Sequence, residues 1–229
     1  MLLKYYQKLD DAISYLSSSF CDEKKLIKSI LKKKEIYYID VGLNHGSYLD
    51  YLSSFINFKC IYAFEPIPEL CNKIKKNYPN SKMKIFNLAL SNKREKRIFY
   101  QYEISSQSSL YQQNNIFKSF KRLNKKYKVQ TDKFDNIFKN FKTIDFCKID
   151  VQGEDLNVLK GMKLNLSKKT IKLIKIEILF MNIYKNVEPN FYHILDYMKK
   201  NQYFLVSISK IKFKDNKILF MDAFFQPAK

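Results

Sequence analysis

The chain has 229 residues, 46% of them apolar, with 42 Lys and Arg against 22 Asp and Glu for a formal net charge of +20. That length and apolar share exclude a disordered chain and suffice for one domain with a buried core. The charge favours anionic partners such as nucleic acid, acidic glycans or lipid head groups, but the excess of Lys, Asn, Ile, Phe and Tyr without Trp is also what an AT-rich coding sequence imposes, so basicity alone is weak evidence.

Leu2, Tyr5, Tyr6, Leu9, Ile13 and Leu16 recur at helical spacing and predict an amphipathic helix over 2–17. Asp22 is a candidate N-cap for a second helix carrying Leu26, Ile27, Ile30 and Leu31 on one face. These helices form an N-terminal extension, 1–34, ahead of a main domain, 35–229. From Glu35 the pattern changes to short, continuous apolar runs, as strands buried on both faces show. "EIYYIDV" (35–41), "CIYAFEP" (60–66), "KIFNLAL" (84–90), "DFCKIDV" (145–151) and "IKLIKIEILF" (171–180) are five such strands. Helical segments follow at 47–56, from Pro68 (with Leu70 and Ile74 inward) and at 190–200, and two last strands fall near 203–209 and 217–225. Strands alternating with helices predict an α/β fold with a doubly wound, mostly parallel, seven-stranded sheet.

Cys21, Cys60, Cys71 and Cys147 show no C-x-x-C spacing, so neither a zinc site nor a disulfide framework is expected; Cys60 and Cys147 read as core residues. No run approaches the ~18 apolar residues that span a bilayer, and the N-terminus lacks a signal-peptide apolar core. The expectation is a soluble, cytoplasmic protein.

Only four glycines occur, where average usage near ~7% would give about sixteen. Gly42 and Gly46 lie in "IDVGLNHGSY", which runs from the first strand into a helix; Gly153 and Gly161 lie in "KIDVQGEDLNVLKGM". In such sheets ligands bind beyond the carboxyl ends of the strands, where the helix N-terminus offers free N–H groups. A dinucleotide site wants G-x-G-x-x-G, and Asn44 and Ser47 occupy two of its glycine positions. S-adenosylmethionine fits better: its amino group would meet Asp40 and its carboxylate the loop N–H groups. Glu65, 25 residues after Asp40, ends the second strand where a carboxylate can accept from both ribose hydroxyls. Each such bond is worth roughly 1.5–3 kcal/mol, so losing Glu65 should weaken binding about tenfold or more.

"IDVGLNHGSY", "YAFEPIPEL", "NLALSN", "SSQSSLY", "FCKIDVQGEDLNVLKGM" and "IKIE" resemble, in order and spacing, the FkbM family of S-adenosylmethionine-dependent methyltransferases over roughly residues 38–205. The resemblance implies the class I methyltransferase (Rossmann-like) fold, and its known members are mostly sugar or small-molecule O-methyltransferases. It implies that Asp40, Gly42, Asn44 and Gly46 hold the methionine end of the cofactor, Glu65 its ribose, and Asn87, Leu88 and Ala89 its adenine.

Asp150, at the tip of the fourth strand, faces the donor methyl in this architecture, and a hydroxyl acceptor needs a group to take its proton. Asp150 is the first candidate base. Glu177 is the second; its competing reading is a strand carboxylate paired with Lys175, which points to the same side. Two carboxylates are too few to predict a metal. The family pattern is approximately D-V-E-G-x-E, and here Gln152 replaces the first Glu while Asp155 matches the second. Gln keeps a loop-orienting hydrogen bond and loses any metal-binding or base role. Gly161 fits a helix C-terminal cap. Of the two histidines, His45 lies in the cofactor loop and His193 reads as a packing residue.

Residues 91–143 connect the third and fourth strands with 13 Lys and Arg against 4 Asp and Glu, a net +9. "FKSFKRLNKKYKV" (117–129) interleaves aromatic and basic residues as in surfaces that stack on sugars or bases, and "SSQSSL" (105–110) offers hydroxyls to a polar acceptor. This basic insertion is the expected substrate cover. The resulting expectation is O-methylation of a saccharide hydroxyl, with RNA-directed 2′-O-methylation through the basic insertion as the alternative.

Overall fold

Seven apolar runs pair into one sheet in the order β3-β2-β1-β7-β8-β10-β9. The computed structural model describes residues 22–79, 82–114 and 122–228; the expected helix over 2–17, Cys21 and residues 117–121 of the basic stretch lie outside these. The strands of the sheet are β1 (Glu35–Val41), β2 (Asn57–Phe64), β3 (Met83–Phe86), β7 (Phe146–Ile149), β8 (Ile174–Leu179), β9 (Tyr203–Lys214) and β10 (Lys217–Pro227). β1 pairs in parallel with both β2 and β7, and β7 in parallel with β8, whereas β10 runs antiparallel to β8 and β9. The strand order reverses between β1 and β7, and their tips, Val41 and Ile149, are partners. A crevice for a ligand opens at such a point.

Helices cover both faces. On one, α1 (Glu23–Ile30), α2 (Ser47–Ser53) and α3 (Pro68–Asn77) bury Ile27, Leu49, Leu52 and Ile74 against Tyr38, Ala63 and Phe146. On the other, the short α4 (Phe134–Ile137) and α6 (Lys163–Ser167) accompany α5 (Asp155–Gly161) and α7 (Phe191–Lys200), which bury Val158, Leu159, Ile194 and Met198 against Ile39, Ile149 and Ile176. Asp22 caps α1 as expected, its Oδ1 accepting from the N–H groups of Lys24 (3.0 Å) and Lys25 (3.4 Å). Glu23 ties α1 to the sheet, accepting from Lys175 Nζ at 3.0 Å and from Ser209 Oγ at 3.1 Å.

The expected strand over 84–90 is two. β3 stays in the main sheet; β4 (Ala89–Leu90) leaves it and joins β5 (Glu95–Tyr102) and β6 (Leu123–Asp132) in a second sheet of order β4-β6-β5. Between them the Asn87 amide donates to the Glu65 carbonyl at 3.0 Å, taking an acceptor that pairing could otherwise use. The second sheet has its own core of Phe99, Leu110 and Val129 with Ala89, Ile67 and Leu70. The polar connection thus contains ordered strands, because Phe99 and Val129 alternate inward along otherwise basic sequence. His193 lies exposed on α7, not packed. Cys147 and Cys71 are buried and Cys60 half-buried.

Candidate active site

At the carboxyl ends of β1, β2, β7 and β8 lies a cavity of about 370 Å³. Of the expected site residues, Gly42, Asn44, Glu65, Leu88, Ala89, Asp150 and Glu177 line it; Asp40, Gly46 and Asn87 do not.

One wall is built by the β1 and β2 tips. Glu65 is buried, its Oε2 accepting from the Asn44 N–H and its Oε1 from the Ile67 N–H, each at 2.8 Å. Each oxygen keeps a lone pair for a further donor. Burial pushes this carboxyl up to about 7, with the two N–H groups and Lys148 pulling against it. Gly42 has φ +88°, and a Cβ there would stand 2.0 Å from the Asp150 carbonyl oxygen. The loop therefore needs glycine because the β1 and β7 tips close on each other. Leu88, Ala89, Leu90 and Phe99 supply an apolar slot beyond Glu65.

Asp40 lies outside the cavity lining. It is fully buried behind the loop, where its carboxylate accepts from Tyr38 Oη (2.8 Å) and Lys148 Nζ (3.0 Å). Lys148 Nζ also donates to the Gly42 carbonyl at 2.9 Å and stands 3.8 Å from Asp150 Oδ2. Burial opposes the Lys148 charge, but Asp40 and Asp150 outweigh it and raise its pKa. A buried charge needs such partners. Asp40 thus holds the lysine that braces the glycine loop. Gly46 caps α2 facing Ile74, and Asn87 turns to Glu65 and Cys71.

The opposite wall carries the carboxylates. Asp150, with its side chain a quarter exposed, is partly buried, which alone would raise its pKa; Lys148, the Gln152 amide, Lys210 and Lys175 outweigh that and leave it below the ordinary range. Glu177 goes the other way, held well above the ordinary range by burial and then by Asp150, Asp155 and Asp222. The Gln152 Nε2 donates to both, at 2.8 Å to Asp150 Oδ1 and 2.7 Å to Glu177 Oε2. Tyr184 fixes that amide, its Oη donating to Gln152 Oε1 at 2.7 Å. Lys175 does not pair with Glu177: it is bound to Glu23 and Asp222, each at 3.0 Å. Asp155, pushed by burial up to about 7, accepts from the N–H groups of Val151 (3.1 Å) and Gly153 (3.0 Å) and so shapes the turn that presents Gln152. This wall thus carries one carboxyl with a lowered and one with a raised pKa, both bound to the same amide.

Sequence reasoning missed Lys148, Tyr184 and the cavity-lining Lys210 and Lys212. A lysine inside the fully buried strand "FCKI" was a signal, since such a charge demands a partner; nothing local marked the others. Ser105 to Ser108 do line the cavity, and Ser105 Oγ lies 2.7 Å from Asn44 Oδ1. Gly161 is the last residue of α5, where a Cβ would stand 2.2 Å from the Ser91 carbonyl oxygen; close approach, not a left-handed cap, requires it. Among the described residues no cluster of three or more His, Cys, Asp or Glu could hold a metal ion, and no helix is long and apolar enough to cross a membrane.

The residues fit S-adenosylmethionine: two part-satisfied Glu65 oxygens for ribose hydroxyls, an apolar slot for adenine and a glycine loop for the methionine end. The fold agrees. An FkbM methyltransferase from Methylobacillus flagellatus KT is similar at TM-score 0.54 and 12% identity, over 83% of this chain and 44% of that one. The chain thus spans under half the length of that protein. An rRNA methylase from Streptococcus thermophilus is similar at TM-score 0.51 and 10% identity, over 90% and 94%. SMU.1697c, a putative methyltransferase from Streptococcus mutans in complex with SAH, is similar at 0.50 and 10%, over 89% and 96%. These likenesses show the class I methyltransferase fold, and S-adenosylmethionine is the expected cofactor. None of the curated proteins matches the chain. The model of the methyltransferase FkbM domain matches residues 40–205, and the chain belongs to that family.

Proposed function

We propose that this methyltransferase methylates a saccharide hydroxyl, with Asp150 as the group that takes the hydroxyl proton. The observation that carries the reading is the carboxyl pair at one cavity wall, Asp150 and Glu177 bridged by the Gln152 amide, with the pKa of Asp150 lowered and that of Glu177 raised. S-adenosylmethionine, when bound, supplies an electrophilic methyl group. Glu65 would accept from its ribose, Leu88 to Leu90 would line its adenine, and Gly42 and Asn44 would hold its methionine end. Asp150 then accepts the proton of the acceptor hydroxyl, a role worth roughly 10²–10⁴-fold. Gln152 holds its carboxylate on line and ties it to Glu177. Ser105, Ser106 and Ser108 offer hydroxyls, and Gln107 an amide, to the acceptor. Positioning of acceptor against donor supplies the larger part of the acceleration.

The alternative, an RNA 2′-hydroxyl, rests on the exposed lysines of β6, Lys125, Lys126 and Lys128. A radiolabelled methyl group, offered as S-adenosylmethionine to fractionated host extract, separates the two. Label in nuclease-resistant glycan, lost with Asp150→Asn and Glu65→Ala, supports the saccharide reading. Label in RNA overturns it in favour of the alternative.

A further inference from the structure

The cavity has a third wall that the chemistry above does not use. Lys210 and Lys212 of β9, with Leu219 and Phe220 of β10, line it beside Asp150 and Glu177. β9 is irregular there. Phe220 pairs with Lys212 but Asp222 pairs with Ser209, so Lys210 and Ile211 together oppose Met221. Lys210 has φ +50°, in the left-handed region that a lysine rarely adopts. A bulge of this kind re-aims a side chain, and strain of this kind concentrates at ligand sites. Among the described residues neither lysine forms a salt bridge; Lys210 Nζ lies 5.5 Å from the Phe220 ring centroid. The Lys210 charge reaches the chemistry, lowering the pKa of Asp150 and opposing the rise at Glu177 and Asp222.

The donor sulfonium is itself cationic, so two ammonium groups on the acceptor side suit a neutral sugar poorly. They suit an acceptor that brings negative charge. Building on the saccharide reading, we infer that Lys210 and Lys212 form an oxyanion-binding subsite, and that the acceptor is an acidic saccharide carrying a carboxylate or phosphate close to the hydroxyl that is methylated. The lysines fix the acceptor's orientation by pairing with that group, while Asp150 takes the proton from the neighbouring hydroxyl. Methyl transfer then balances as one O–C bond formed, one S–C bond broken and one proton passed to Asp150.

The test runs the labelled-extract reaction with wild type, Lys210→Ala/Lys212→Ala and Lys210→Arg/Lys212→Arg, and separates labelled saccharides by anion exchange before and after phosphatase. The expected product is retained on the exchanger. Loss of retention after phosphatase identifies a phosphate, and persistence a carboxylate. The alanine pair should raise the acceptor KM at least tenfold, by a larger factor than it lowers kcat. The arginine pair should restore most of the affinity, and the Kd for S-adenosylhomocysteine should stay within twofold in both. A labelled saccharide that passes unretained overturns the inference and leaves the saccharide reading standing. An alanine pair with unchanged KM, or one whose S-adenosylhomocysteine affinity falls as far as its acceptor affinity, also overturns it. Label confined to RNA, or no labelled product, overturns the inference and the saccharide reading together.

Discussion

Glu65, proposed to hold the cofactor ribose, would join folding to ligand binding. Its proton is held in the folded chain up to about 7, whereas the unfolded chain releases it in the ordinary carboxylate range. The folded state therefore binds more protons across that window, and this group's contribution to stability falls as pH rises through it. In the proposed ribose role ligand binding runs the other way, because the hydroxyls are best accepted by the ionised form. S-adenosylhomocysteine should bind about tenfold more weakly at pH 5.5 than at pH 8, and Glu65→Gln should bind at least about tenfold more weakly than wild type at pH 8 with a flat profile. Over the same range the Tm of Glu65→Gln should rise relative to wild type. Calorimetric titration and thermal melts at the two pH values check both signs; a wild-type affinity independent of pH would contradict the assignment. Glu65 was legible because it ends a strand beside a glycine loop. The bond from Lys148 to Asp40 was not legible, since the two are 108 positions apart and no local pattern joins them.

Whole elements depend on a buried charge network whose members do not line the cavity. Lys175 of β8, with a side chain 6% exposed, pairs with Asp222 of β10 at 3.0 Å and with Glu23 of α1 at 3.0 Å. Tyr48 of α2 also donates to Glu23, and the Lys175 ammonium lies 4.0 Å from its ring centroid. Removing the central cation leaves two carboxylates facing each other out of water. Lys175→Met should therefore cost about 3 kcal/mol or more in urea unfolding, and Lys175→Met/Asp222→Leu should recover a part of that. A loss below about 1 kcal/mol would show that α1 is held by Ile27 and Leu31 alone. The elements themselves were largely readable, because strands buried on both faces announce themselves as unbroken apolar runs. The break within 84–90 was not readable: "KIFNLAL" is continuous in pattern, and the turn at Asn87 is set by the Glu65 carbonyl from another strand.

For the molecule as a whole, alternation of strand and helix gave the layered sheet, and the antiparallel pair β9 and β10 closes it at one edge. The second sheet was hidden because its inward residues, Phe99, Leu110 and Val129, are few among many lysines. The same charge bears on the acceptor. A protein that engages six to ten phosphates loses roughly 10³–10⁵ in affinity between 50 and 200 mM salt. An acidic saccharide held by two lysines should lose less than about tenfold over that range, as an acceptor KM measured at both salt concentrations will show. Steeper loss would move the acceptor into the RNA class.

The most direct measurement of the central claim is methyl transfer by Asp150→Asn set beside its affinity for S-adenosylhomocysteine. The substitution keeps the shape of the side chain and removes the proton acceptor, so transfer should fall about 10²-fold or more while the Kd stays within about threefold of wild type. Transfer at the wild-type rate would contradict the account, and place the base elsewhere on the cavity wall.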